Sequence, residues 1–272
     1  MDWTPHQLNG IRMKITRANQ HVNALDREVG IFFEAYAGSQ VINHRFDGTW
    51  HIVSINPMVE GSMPLLCSVI CGDAMHNLRS ALDHLVWQLV LAEGNKPDRW
   101  NNFPIYTDPD DFDRFVRSPK DPERRPSPLH GITPDGEAWA LIEGEQPYDS
   151  RELSERYLAI LAKLSNVDKH RTLHANWFYP SEDSIRAAVG WNRSARLLEY
   201  RRIPGPVPRK CETEILRLRF SAAGPDPQVH VKGKIALQPT FGDGETFQFT
   251  LGGIKQLPVW AADFVEKFVC CF

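Results

Sequence analysis

The chain reads as an α+β protein: a helical core with a long central helix, a mainly antiparallel β-sheet and a closing C-terminal helix. Three observations predict this. Apolar residues recur at helical spacing from Leu65 to Val90; residues 1–171 carry several such helical patterns around one hairpin signal near 40–55; and residues 172–256 break into short β-like runs separated by Pro-Gly and Gly-Asp-Gly turns. At 272 residues, 42% hydrophobic and 24% charged, the chain is able to bury a sizeable core. There is no internal repeat and no low-complexity linker, so a single α+β domain over 1–272 is expected.

The elements follow in order. Thr4, Pro5 and Gln7 read as an N-cap, first-turn proline and capping-box partner, and Leu8, Ile11, Met13, Ile15, Val22, Leu25, Val29 and Phe32 continue a helix to about Tyr36. Gln40–Phe46 and Trp50–Ile55 alternate around Asp47-Gly48, a hairpin signal. The long helix is placed over Ser62–Ala92, with Gly72 as its internal glycine. Residues 94–131 are rich in Pro, Asp and Arg and form a structured connection or a lid, within which Asp108 caps a short helix. Thr133-Pro134-Asp135 opens a helix to about Glu143, and Ser150 caps another that ends at Ser165-Asn166. Strands are expected at Leu173–Phe178, Ile185–Val189, Ile215–Phe220, Val229–Leu237 and Thr246–Thr250. Pro258 opens the closing helix, over 258–269.

A net charge of -3 argues against a protein that coats nucleic acid by bulk electrostatics. Between Arg193 and Arg219, eight basic residues face three acidic ones, a local excess that reads as a solvated strand face rather than a phosphate track. No stretch approaches the roughly 18 apolar residues of a membrane span, and the first ten residues hold no apolar signal region, so a cytoplasmic protein without membrane contact is expected. The five cysteines show no CxxC spacing. Cys67 and Cys71 read as buried helix residues one turn apart, Cys211 is isolated, and Cys270-Cys271 carry no lipidation signal.

The most informative stretch is Gly72–Gln88, GDAMHNLRSALDHLVWQ. At about 100° per residue, Asp73, His76, Asn77, Ser80 and His84 fall away from most of the apolar stripe, with Arg79 and Asp83 on its flank. An ordinary solvated face carries Lys and Glu. This one carries Asp, His, Asn, Ser and Arg between Leu66, Val69 and Trp87, and so is expected to be enclosed.

A second polar cluster, Asn166 to His174, sits where a helix is expected to end. If that helix packs antiparallel to the long one, its end meets the island and brings Lys169 or His170 near His76 and His84. Two readings of the combined cluster need no family. In one, Asp73, His76 and His84, completed by Asp168, His170 and His174, bind a metal in a hydrolase, although no HExxH or CxxC pattern is present. In the other, the polar groups form a satisfied network that fixes helix register in a non-catalytic binding or assembly protein.

Arg79 to His84 is also an Arg-x4-His pattern. The same spacing class recurs at Arg125–His130 and Arg45–His51, but only the first lies in a strong helix beside Asn77, Ser80 and Asp83. Here the chain resembles the HEPN family (higher eukaryote and prokaryote nucleotide-binding), helical proteins many of which are metal-independent ribonucleases. The resemblance implies an endoribonuclease acting on RNA without a cofactor or metal, as a homodimer. Arg79 would stabilise the phosphorane and His84 would move the proton, with Asp73, His76, Asn77, Ser80, Asp83, Asp168, Lys169 and His170 in support. The segments GDAMHNLRSALDHL and NVDKHR also resemble parts of uncharacterised bacterial proteins, which implies no activity.

Overall fold

The structure is a computed structural model. It describes residues 6–35, 40–57, 63–122, 126–149, 156–203, 207, 211–243 and 247–272. The chain divides into two compact units. The first comprises residues 1–26, 68–173 and 253–272, and the second residues 27–67 and 174–252. The α+β class holds; among the described residues most helices lie in the first unit and the strands in the second.

Helix α1 (Asn9–Ala35) ends where its periodicity runs out, and α2 (Leu65–Ala92) begins directly after Pro64. Thr4, Pro5, Tyr36 and Ser62 lie outside the described residues. The Asp108 carboxylate accepts the Asp110 N–H and caps α3 (Pro109–Phe112), which passes into a π turn, Asp113–Arg117. Helix α4 (Glu137–Gly144) starts later than Thr133-Pro134-Asp135 suggests: Asp135 takes a positive φ of 59°, and Gly136 is the N-cap. Helix α5 (Arg156–His170) does not stop at Asn166. It runs on to His170, where Arg171 N–H bonds the Val167 carbonyl, so Asp168, Lys169 and His170 are helical. Ser150 lies outside the described residues.

In the second unit, β1 (Gln40–Phe46) and β2 (His51–Pro57) form the expected hairpin, with Gly48 at φ 97°. Strand β3 (His174–Pro180) follows α5 in the chain. The expected strand Ile185–Val189 is instead helix α6 (Glu182–Ala188). Glu182 and Asp183 occupy its first turn, Arg186 pairs with Glu182 one turn on, and Ile185 and Ala188 are buried. Strands β4 (Val189–Gly190), β5 (Leu197–Arg202) and β6 (Thr213–Phe220) come next. The run expected over Val229–Leu237 forms only the two-residue β7 (His230–Val231) before β8 (Leu237–Gly242) and β9 (Gln248–Thr250). The sheets have the orders β1-β2-β6-β5, β3-β8-β9 and β4-β7, with antiparallel pairing throughout. Val53, Ile55, Ile215, Leu216 and Leu218 form the centre of this unit's core. Within its basic stretch, Arg217 meets Glu214 and Arg219 meets Glu199.

Pro258 does not open the closing helix. Helix α7 runs Leu251–Glu266 with Pro258 inside it. A mid-helix proline removes one backbone bond, and Ile254, Leu257, Ala261, Phe264 and Val265, buried at helical spacing, carry the helix through. A single 3₁₀ turn, Val269–Cys271, follows. The first unit's core joins Leu78, Leu82, Leu85, Phe103, Leu161 and Phe264, with the Phe103 and Phe264 rings edge to face at 5.6 Å. Among the described residues no helix is long and apolar enough to cross a membrane.

Candidate functional site

Helix α2 organises the polar groups of the first unit, and its neighbours divide the island into three parts. On one flank lies α1. Lys14 Nζ donates to Ser80 Oγ at 2.8 Å and to the Ser80 carbonyl at 3.2 Å. Four residues earlier on α1 and four later on α2, Gly10 lies against His84, so the two helices run antiparallel here. A Cβ at Gly10 would stand 2.7 Å from His84 Cε1, so only glycine permits this approach. The His84 Nε2 lies 3.1 Å from the Gln88 amide nitrogen, while Nδ1 is buried without a hydrogen-bond partner. Burial, and secondarily the charge of Lys14, push the His84 pKa down, which favours a neutral imidazole.

The second part is a clamp. Arg79 Nη2 donates to the Phe103 carbonyl at 2.6 Å and pairs with Asp83 at 3.1 Å, and the Phe103 N–H donates to Asp83 Oδ1 at 3.0 Å. The fully buried Gln146 continues the pattern. It donates to the Pro104 carbonyl at 2.9 Å and accepts the Tyr106 N–H at 3.0 Å. Side chains from α2 and the end of α4 thus pair with Phe103–Tyr106 much as a neighbouring strand would. Within the long 94–131 stretch, this part is a structured connection.

The third part lies at the end of α5, antiparallel to α2. The Asp168 carboxylate covers Gly72 so closely that a Cβ there would collide with Oδ1. Burial, then the nearby charge of Asp73, raise the Asp168 pKa against the opposing influence of His76. Asp73 and His76 are exposed, as are Leu66, Val69 and Trp87. The expectation of an enclosed face is therefore corrected: Asp73 and His76 stand in solvent, while Asn77, Ser80 and His84 are half-buried. Asn77 Nδ2 donates to the Asp73 carbonyl, and Lys169 and His170 are exposed on the last turn of α5.

The metal arrangement does not form. Among the described residues, no three of Asp73, His76, His84, Asp168, His170 and His174 bring ligand atoms within 4.8 Å of one another. His84 is turned to α1, Asp168 lies over Gly72, and His174 belongs to the second unit.

Two cavities flank the clamped segment. One, of about 470 Å³, carries Arg79, Lys163, Asn166 and Lys169 opposite Phe103–Thr107, with Asp111 as its acidic residue. The other, of about 390 Å³, is formed by Trp100, Tyr106 and Phe115 with Arg114, Lys120 and Asp121. Asn102 and Tyr106 line both. The Tyr106 and Phe115 rings stack at 5.9 Å, and the Arg114 guanidinium lies 5.0 Å from the Phe115 ring centre. Arg79 and Lys169 therefore meet in one cavity, while His84 lines neither. Lys163, Gln146 and the aromatic residues were not singled out from the sequence. The density of Trp100, Phe103, Tyr106, Phe112 and Phe115 in a Pro- and Asp-rich stretch is the signal that points to them.

Comparison of the chain with protein-family models, curated proteins and solved structures finds no match.

Proposed function

We propose that the first unit binds single-stranded RNA, with phosphates at Arg79, Lys163 and Lys169 and a base against Tyr106 and Phe115. The observation that carries this reading is the pair of adjoining cavities that share Asn102 and Tyr106, one basic and one aromatic. Charged grooves beside stacking platforms suit single strands, because every base has a π-face and every linkage a negative charge. The clamp holds the shared segment rigid. A guanidinium has five N–H groups, so Arg79 is able to hold Phe103 and still offer donors to an anion. Anisotropy with a labelled single-stranded RNA tests the reading. Binding is expected for the wild type, with marked loss in Lys163→Ala/Lys169→Ala and in Tyr106→Ala. Absence of binding, or affinity unchanged in both variants, would overturn it.

A second reading, the HEPN-type endoribonuclease, is favoured by the unpartnered, depressed His84 Nδ1 beside Lys14, the form of imidazole that accepts a proton. In it Arg79 stabilises the phosphorane and His84 moves the proton. Either alanine variant should abolish most cleavage of a mixed RNA pool, the double variant should cost little more, and EDTA should have no effect. Cleavage that persists in folded His84→Ala sinks this reading and leaves the binding reading standing. The homodimer that the resemblance implies is tested by light scattering.

A further inference from the structure

The turn after α7 places Cys270 Sγ and Cys271 Sγ 4.0 Å apart. Glu137, the first residue of α4, brings a carboxylate oxygen to them, and the three donor atoms all lie within 4.8 Å of one another. Among the described residues this is the one convergence of three such groups. All three belong to the first unit and are at least partly exposed, so an ion in solution reaches them.

We propose that Glu137, Cys270 and Cys271 form a site for a thiophilic divalent cation of the Zn²⁺ class. Two thiolates bound to a tetrahedral ion at roughly 2.3 Å each stand about 3.8 Å apart, which the observed sulfur separation approaches with little movement. Two sulfurs and one carboxylate favour a borderline-soft cation over Mg²⁺ or Ca²⁺, and three protein ligands leave a fourth position for water. The Cys270 thiol donates to the Lys267 carbonyl at 3.3 Å, so its sulfur is already held, and both thiol protons leave when the cation binds. The ion would tie the start of α4 to the turn after α7. The Lys267–Glu145 ion pair ties the other end of α4, at its C-cap, to the residue just after α7.

Two titrations of reduced, full-length protein test the site: Zn²⁺ against a chromophoric chelator, and Cd²⁺ followed by its sulfur-to-metal charge-transfer band. One equivalent is expected to bind, with band intensity for two thiolates and a raised Tm. Cys270→Ser and Cys271→Ser should each halve the band. Glu137→Gln should keep the band and weaken Zn²⁺ binding roughly tenfold or more, since even outer-shell losses cost that much. Circular dichroism checks that each variant is folded. Absence of stoichiometric binding, or a band that survives in Cys270→Ser/Cys271→Ser, would overturn the site; unchanged Zn²⁺ affinity in Glu137→Gln would overturn the carboxylate as a ligand.

Discussion

The Asp168 carboxylate lies directly over Gly72, occupying the space that any side chain at that position would need. Glycine costs about 1 kcal/mol relative to alanine inside a helix, so its presence in α2 reflects the close approach of α5 rather than helical preference. The same burial holds the carboxyl group above its usual range.

A double-mutant cycle on this pair gives the first prediction. With Asp168 present, Gly72→Ala destabilises the protein, because the carboxylate must be displaced. In an Asp168→Ala background the same substitution is stabilising by about 0.5–1 kcal/mol from helix propensity alone. Chemical denaturation of the four proteins measures it, and the sign of the Gly72→Ala effect should reverse between backgrounds.

The clamp on Phe103 carries the second. Arg79→Ala removes a charge-assisted bond to a part-buried carbonyl and should cost about 2 kcal/mol. Gln146→Ala removes three hydrogen bonds of a fully buried side chain, to the Pro104 and Ile142 carbonyls and from the Tyr106 N–H, and should cost at least as much. Arg79→Lys should recover part of the loss, since both contacts use the single nitrogen Nη2 and a shorter, more strongly hydrated ammonium replaces it imperfectly.

The third concerns pH. His84, and the hydrogen-bonded pair His44 and His51, have pKa values depressed chiefly by burial. The unfolded chain then takes up protons that the folded chain refuses. Stability is complete above the ordinary histidine pKa of about 6.5 and is lost as pH falls through that value toward the folded ones. Lys14 opposes protonation of His84, and His51 that of His44, whereas Asp226 favours protonation of His51. Denaturation midpoints from pH 7.5 down to 5 should decline, and replacing His84 by Asn should flatten part of the decline. Asp168 works in the opposite sense: its raised pKa makes its ionisation unfavourable to folding, so its contribution falls as pH rises from the unfolded value to the folded one.

Salt dependence distinguishes the residues of the RNA groove. Each phosphate contact removed from a single strand should flatten the plot of log affinity against log salt by about 0.7. Lys163→Ala and Lys169→Ala are each expected to do so, whereas Tyr106→Ala should lower affinity with the slope unchanged. A Tyr106→Ala slope as flat as that of the lysine variants would contradict the division of the groove into phosphate and base ends.

Several elements were legible in the residues alone: the α+β class, the first helix, the hairpin at Asp47-Gly48, the long helix and the Asp108 cap. Each rests on a local signal that fixes backbone angles within a few residues: apolar period, turn chemistry or a capping side chain. Spacing also placed Asp73 to His84 on one broad face of α2. What it could not assign was which neighbour each residue meets. Ser80 and His84 turn to α1, Arg79 and Asp83 hold the Phe103 segment, and Gly72 lies under Asp168 of α5. Residues sharing a helix face can meet different partners, and the choice between them depends on long-range packing. The same holds for α7, where buried Ile254, Leu257 and Ala261 outweigh the local preference of Pro258 to begin a helix. Local sequence determined most of the backbone elements; only packing between distant segments decided which polar groups came together.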